Sequence, residues 1–153
     1  MEEFKSRGVR SLVELHEQEL RDCMATWRRF VASGKPMPDA HGDAAYESPE
    51  RLVAHIQGAA RSYLLWMWEM LEQPIEGLPL VRDPALIMPQ LDAFMEETLA
   101  AWRRHLAPLD NEQVSAKQYL SRWGELHTIE QMLEHAVVHP MRHRIQLERI
   151  LAR

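Results

Sequence analysis

The stretch TIEQMLEHAVVHPMRHRIQLERI, from Thr128 to Ile150, decides how this chain folds. Ile129, Met132, Ala136, Leu147 and Ile150 recur with the 3.6-residue period of a helix that buries one stripe. Thr128 and Gln131 are spaced as a capping box, in which each side chain satisfies the other's backbone amide, so the helix is expected to start there. Pro140 lies in the middle. It cannot donate a hydrogen bond to the carbonyl of Ala136, which predicts a kink. It does not predict a stop, because the apolar stripe resumes in phase at Leu147 and Ile150.

The same period dominates the rest of the chain. A first helix is expected from about Val9 to Ala32, with Leu12, Val13, His16, Leu20, Cys23, Met24, Trp27 and Phe30 or Val31 on one side. A second opens at Ser48 and Pro49, a capping hydroxyl followed by a proline in the first turn, where no amide partner is needed. It runs to about Leu71. Asp83 and Pro84 repeat that start signal for a third, reaching about Leu106, with Pro89 marking either a kink or the true start. A short helix is expected around Ala116 to Trp123. Six glycines, no hairpin dipeptide of the Asn-Gly kind and little period-two alternation argue against a β fold. The fold class is all-α: a four-helix bundle in one domain spanning residues 1–153. The link between the second and third helices is long enough for a parallel crossover, and an antiparallel turn is equally open.

Composition excludes several functions. A net charge of −5 argues against a nucleic-acid partner, which would need a large basic patch. The start lacks an apolar signal core and no stretch reaches the ~18 apolar residues of a membrane span, so no membrane is expected and the localisation read is cytoplasmic. Cys23 is the only cysteine, which points to a reducing compartment. With no base or helix start beside it, Cys23 reads as a core residue.

The chemistry lies in the histidines. Residues four apart on a helix are offset by about 40°. His143 therefore falls at the centre of the stripe of the last helix, His139 beside it, and His135 at its edge. Two imidazoles one turn apart can reach one cation, which is why His-x-x-x-His recurs in metal sites. His55 lies in the stripe of the second helix with Leu52, Ile56, Ala59, Tyr63, Trp66 and Met70. Gly58 and Ala59 beside it leave room for a ligand or suit close packing. A lone histidine on an apolar face is usually a core residue bonded to a carbonyl or hydroxyl. Three on converging faces, with no carboxylate close by, favour a metal site with open positions. Gln146 shares the face of His139 and can orient a ligand. Tyr63 and Trp66 can line the pocket, and His135 belongs to its rim. His16 could line the pocket but reads rather as a core histidine with its hydrogen bonds satisfied, His105 suits the end of its helix, and His41 and His127 lie in loops.

His55 together with HPMRHRIQL, His139 to Leu147, resembles the DinB/YfiT-like family. Its pattern is one histidine early in the second helix and His-x-x-x-His-Arg-x-Gln in the last, here His55, His139, His143, Arg144 and Gln146. Pro140 and Ile145 depart from that pattern. The resemblance implies an up-down-down-up bundle and a divalent metal on the three histidines, commonly nickel, zinc, iron or manganese. It also implies a transferase acting on a small-molecule thiol and an electrophilic substrate. A metal-dependent hydrolase is the second enzymatic reading, and a dimeric metal- or ligand-binding module without turnover is the third. Trp68, Val137 and Met141 project away from their helices' stripes. They predict a further protein surface, most simply a homodimer, unless they pack within one chain.

Overall fold

The computed structural model describes residues 2–153. The chain is mostly helical, and each long helix starts where local chemistry directs. Helix α1 (Arg7–Ser33) is capped by Ser6, which accepts from the Val9 amide, and ends at Gly34 in the left-handed conformation. Helix α2 (Pro49–Met70) is capped by Ser48 with Pro49 in its first turn. The third expected helix is divided. Asp83 caps the short α3 (Pro84–Ile87), a 3₁₀ turn covers Met88–Gln90, and α4 (Leu91–Leu106) follows. Pro89 sits in that turn, where its missing amide cannot serve an α-helical bond.

The expected helix over Ala116–Trp123 is not formed. Asp110 and Gln113 build a capping box for α5 (Asn111–Ser115) instead. A small hairpin follows, pairing β1 (Tyr119–Leu120) with β2 (Leu126–His127). Gly124 in its turn has φ +83°, a left-handed conformation at odds with helix continuation. Two-residue strands are too short to show period two, so the sequence pattern misses them. Helix α6 (Ile129–Leu151) carries the Thr128–Gln131 capping box and remains helical across Pro140.

The core forms two apolar clusters. One joins Val9 and Val13 of α1, Ala59 to Trp68 of α2, Ala101 to Leu106 of α4, and Ile129 to Ala136 of α6. The other joins Leu20 to Phe30, Leu52 to Ile56, Leu91 to Leu99, and Leu147. The segment after α2 doubles back along that helix. The Pro79 carbonyl accepts from Arg61, and Val81 and Arg82 press on Gly58. A Cβ on Gly58 would stand 3.1 Å from the Val81 carbonyl oxygen and 3.3 Å from Arg82 Cγ, so this glycine serves close packing. Trp68 and Val137 are both 8% exposed, covered within the chain. Two of the three residues behind the expected further surface, Trp68 and Val137, are thus packed within the chain, and Met141 is half-buried.

His16 is fully buried and stacks on Trp102, ring centroids 3.7 Å apart, with neither ring nitrogen hydrogen-bonded. Burial pushes its pKa down to about 3. The unfolded chain, with an ordinary histidine near 6.5, then takes up a proton that the folded chain refuses. Folding stability should fall as the pH drops below 6.5, by roughly 2 kcal/mol at pH 5 for this residue. His16→Phe keeps the stacking shape and removes the proton. Denaturant melts should show its stability advantage growing by roughly 2 kcal/mol between pH 7.5 and pH 5. Parallel stability curves would count against the assignment.

Candidate metal centre

Helix α2 supplies His55 and helix α6 supplies His139 and His143, on faces that the helical period turns toward one another. One ring nitrogen from each lies within 4.8 Å of the other two. His139 Nε2 and His55 Nε2 are 3.0 Å apart. The ring centroids are separated by 4.8 Å for His55–His139, 5.3 Å for His55–His143 and 4.8 Å for His139–His143. His139 and His143 occupy the part of α6 between Ala136 of one apolar cluster and Leu147 of the other. His143 is buried, and His55 and His139 are half-buried.

The surroundings hold these rings neutral. Burial first, and then the neighbouring rings of His143 and His55, push the His139 pKa down to about 2. Burial and His55 push His143 down to about 4, with the Gln146 side chain pulling the other way. Burial also lowers His55, opposed by the charge of Asp43. At neutral pH, then, three unprotonated imidazoles converge, which is the form that binds metal. The donor set fits a divalent ion. Nitrogen ligands sit about 2.1 Å from zinc, so two on one tetrahedral ion lie about 3.4 Å apart. His55 and His139 are already near that spacing at 3.0 Å, and the widest pair, within 4.8 Å, would have to close on the ion by side-chain rotation.

The remaining sequence-predicted residues fall at different distances from the centre. Tyr63 stands edge-on to His139, centroids 5.8 Å apart, and lines the cleft that opens onto His55 and His139. Burial raises its phenol to about 12, so it remains protonated. Gln146 lies beside His143. His135 stands apart from the three, against Trp123 and Tyr63 at centroid separations of 4.8 and 5.6 Å. Trp66 does not line this cleft; it lines an adjoining hollow of about 530 Å³. Of the two small residues near His55, Ala59 lines the cleft, while Gly58 is taken up by the returning chain.

Most other residues of the site come from the connections between helices. The Tyr46 hydroxyl is 3.5 Å from His143 Nδ1, and the charge of nearby Asp43 acts on both His55 and His143. Ser62 of α2, Arg82 before α3, and Arg122 and Trp123 of the hairpin turn wall a cleft of about 190 Å³. None of these residues is marked by the helical period as part of a site, and Trp123 falls instead at the end of an expected helix. Cys23 is buried, and burial pushes its thiol up to about 12, so it is inert as a nucleophile. No helix among the described residues is long and apolar enough to cross a membrane. No protein-family model, curated protein or solved structure matches this chain.

Proposed function

We propose that the chain is an up-down-down-up four-helix bundle of the DinB/YfiT-like kind that transfers a small-molecule thiol to an electrophile at a divalent metal. The observation that carries this reading is the convergence of His55, His139 and His143 from two helices into one cluster of ligand atoms. The topology is supported by the two apolar clusters. Early residues of α1 and α6 share the cluster that holds the late residues of α2 and α4, and the reverse holds in the other.

The three histidines would hold the ion through their ring nitrogens, leaving positions open toward the cleft. When bound, such an ion supplies positive charge that favours thiolate over thiol. Tyr46 and Gln146 orient His143, and Tyr63 fixes the ring of His139 from its edge. The cleft walls of Ala59, Tyr63 and Trp123 hold the reacting sulfur out of bulk water. The thiol proton leaves to solvent. A carbon–sulfur bond forms as the bond to the leaving group breaks, and that group departs with the electron pair. Thiol and electrophile thus give a thioether and an acid, with no change in oxidation state.

The test is turnover. N-acetylcysteine and 1-chloro-2,4-dinitrobenzene, followed by the absorbance of the thioether, should react faster with the purified protein than without it. A chelator should return the rate to background, and added nickel, zinc, iron or manganese should restore it. A background rate with all four metals, or a rate indifferent to the chelator, would overturn the proposal.

A further inference from the structure

Arg82 and Arg122 come from unrelated connections, one at the end of the chain returning along α2 and the other in the hairpin turn. Both reach one acceptor. Arg82 donates to Ser62 Oγ at 3.3 Å, and Arg122 donates to the same oxygen. Ser62 is only 3% exposed, fixed on α2 one turn from Gly58. Both arginines line the cleft that holds His55 and His139.

What they lack is a counter-charge. Among the described residues, Arg10, Arg21, Arg28, Arg51, Arg61, Arg103 and Arg144 each meet a carboxylate. Arg82 and Arg122 meet none, as is true of Arg7, Arg29, Arg104, Arg142, Arg149 and Arg153, but of these only Arg82 and Arg122 converge on one acceptor. Two guanidinium groups offer ten N–H donors, and one hydroxyl oxygen has two lone pairs to give them. Like charges drawn to one point repel unless an anion joins them. The planar forks of arginine suit two-oxygen acceptors.

We propose that the cleft takes a small molecule bearing an oxyanion, a carboxylate or a phosphate ester, gripped by Arg82 and Arg122 over Ser62. As the ligand class of the metal centre, this rests on the function proposed above. The adjoining hollow shares Ser62 and Arg122 with the cleft and is walled mainly by Trp66, Met70, Leu80 and Leu120, with the exposed Glu69 at its edge. It suits the apolar remainder of the same molecule or of its reaction partner. The ligand is thus amphipathic: its anion lies on the arginines and its reacting end toward His55 and His139.

The test uses the whole chain, both treated with chelator and loaded with zinc, in calorimetric titrations. The probes are 3-phenylpropionate, phenyl phosphate and the uncharged 3-phenylpropan-1-ol. At least one anion should bind about tenfold or more tightly than the alcohol, and the tighter anion identifies the group. Arg82→Gln with Arg122→Gln should weaken that anion by about tenfold or more, while the melting midpoint stays unchanged and zinc affinity does not fall. Both side chains are exposed, so the double variant should fold. Equal affinity for the alcohol, or undiminished anion binding by the double variant, would overturn the proposal. Zinc binding without anion binding defeats this inference alone; anion binding without zinc binding defeats only the metal centre.

Discussion

Replacing His143 with alanine should weaken nickel and zinc binding by more than about a hundredfold, measured by competition with a chromophoric chelator. His143 is buried, its ring is 5.3 Å from that of His55 and 4.8 Å from that of His139, and its pKa near 4 leaves it unprotonated at pH 7. Losing it removes one of three nitrogen donors, and two imidazoles rarely hold an ion in competition with water. His135→Ala is the control. That ring packs on Trp123 and Tyr63 and is outside the group of three, so affinity should stay within about twofold. Equal losses in both variants, or unchanged affinity in His143→Ala, would dismantle the metal centre. In the 3₁₀ turn Ala44–Tyr46 before α2, the Tyr46 hydroxyl lies 3.5 Å from His143 Nδ1. Tyr46→Phe is therefore a gentler probe of the same ring.

Arg61→Ala should cost about 3–5 kcal/mol of folding stability, read from denaturant melts. Its side chain is 2% exposed, yet it is fully committed. Nε donates to Thr98 Oγ1 at 3.1 Å, and the terminal nitrogens donate to the Pro79 carbonyl at 3.1 Å and to Glu97 at 2.6 Å. The guanidinium also lies 3.7 Å over the Phe94 ring. One side chain of α2 thereby holds the returning chain and α4 together. Truncation leaves a cavity and an unpartnered Pro79 carbonyl in place of these bonds. Glu97, 58% exposed, should matter far less, and Glu97→Gln should cost below about 1 kcal/mol. A loss in Arg61→Ala no larger than that of Glu97→Gln would show that the ion pair, rather than the buried bonds, carries the effect. Because the Pro79 segment leads directly to Arg82, Arg61→Ala should also loosen one wall of the histidine cleft.

The helical period was enough to choose His139 and His143 over His135, and to turn His55 toward them. It works because a residue's place on its own helix is set by sequence spacing alone, about 100° per residue. The starts at Ser48–Pro49, Asp83–Pro84 and Thr128–Gln131 are equally local, since a cap satisfies amides within three residues of itself. Period cannot say what covers the other side of a helix. Trp68 and Val137 face away from their stripes and are buried all the same. Gly58 could be open space or close packing until the returning chain is placed against it.

The cleft walls depended still more on tertiary structure. Arg82, Arg122, Trp123 and Tyr46 sit in connections whose course is set by the elements they join. The hairpin that carries Arg122 and Trp123 has only two residues in each strand, and it reads from sequence as helix. The sequence by itself determined the starts of the second and last helices and the place of His55, His139 and His143 on their apolar stripes, because both follow from the geometry of one helix at a time. Tertiary structure alone decided which cations and aromatic rings close around those imidazoles, because it brings distant loops within hydrogen-bond reach of Ser62 and His143.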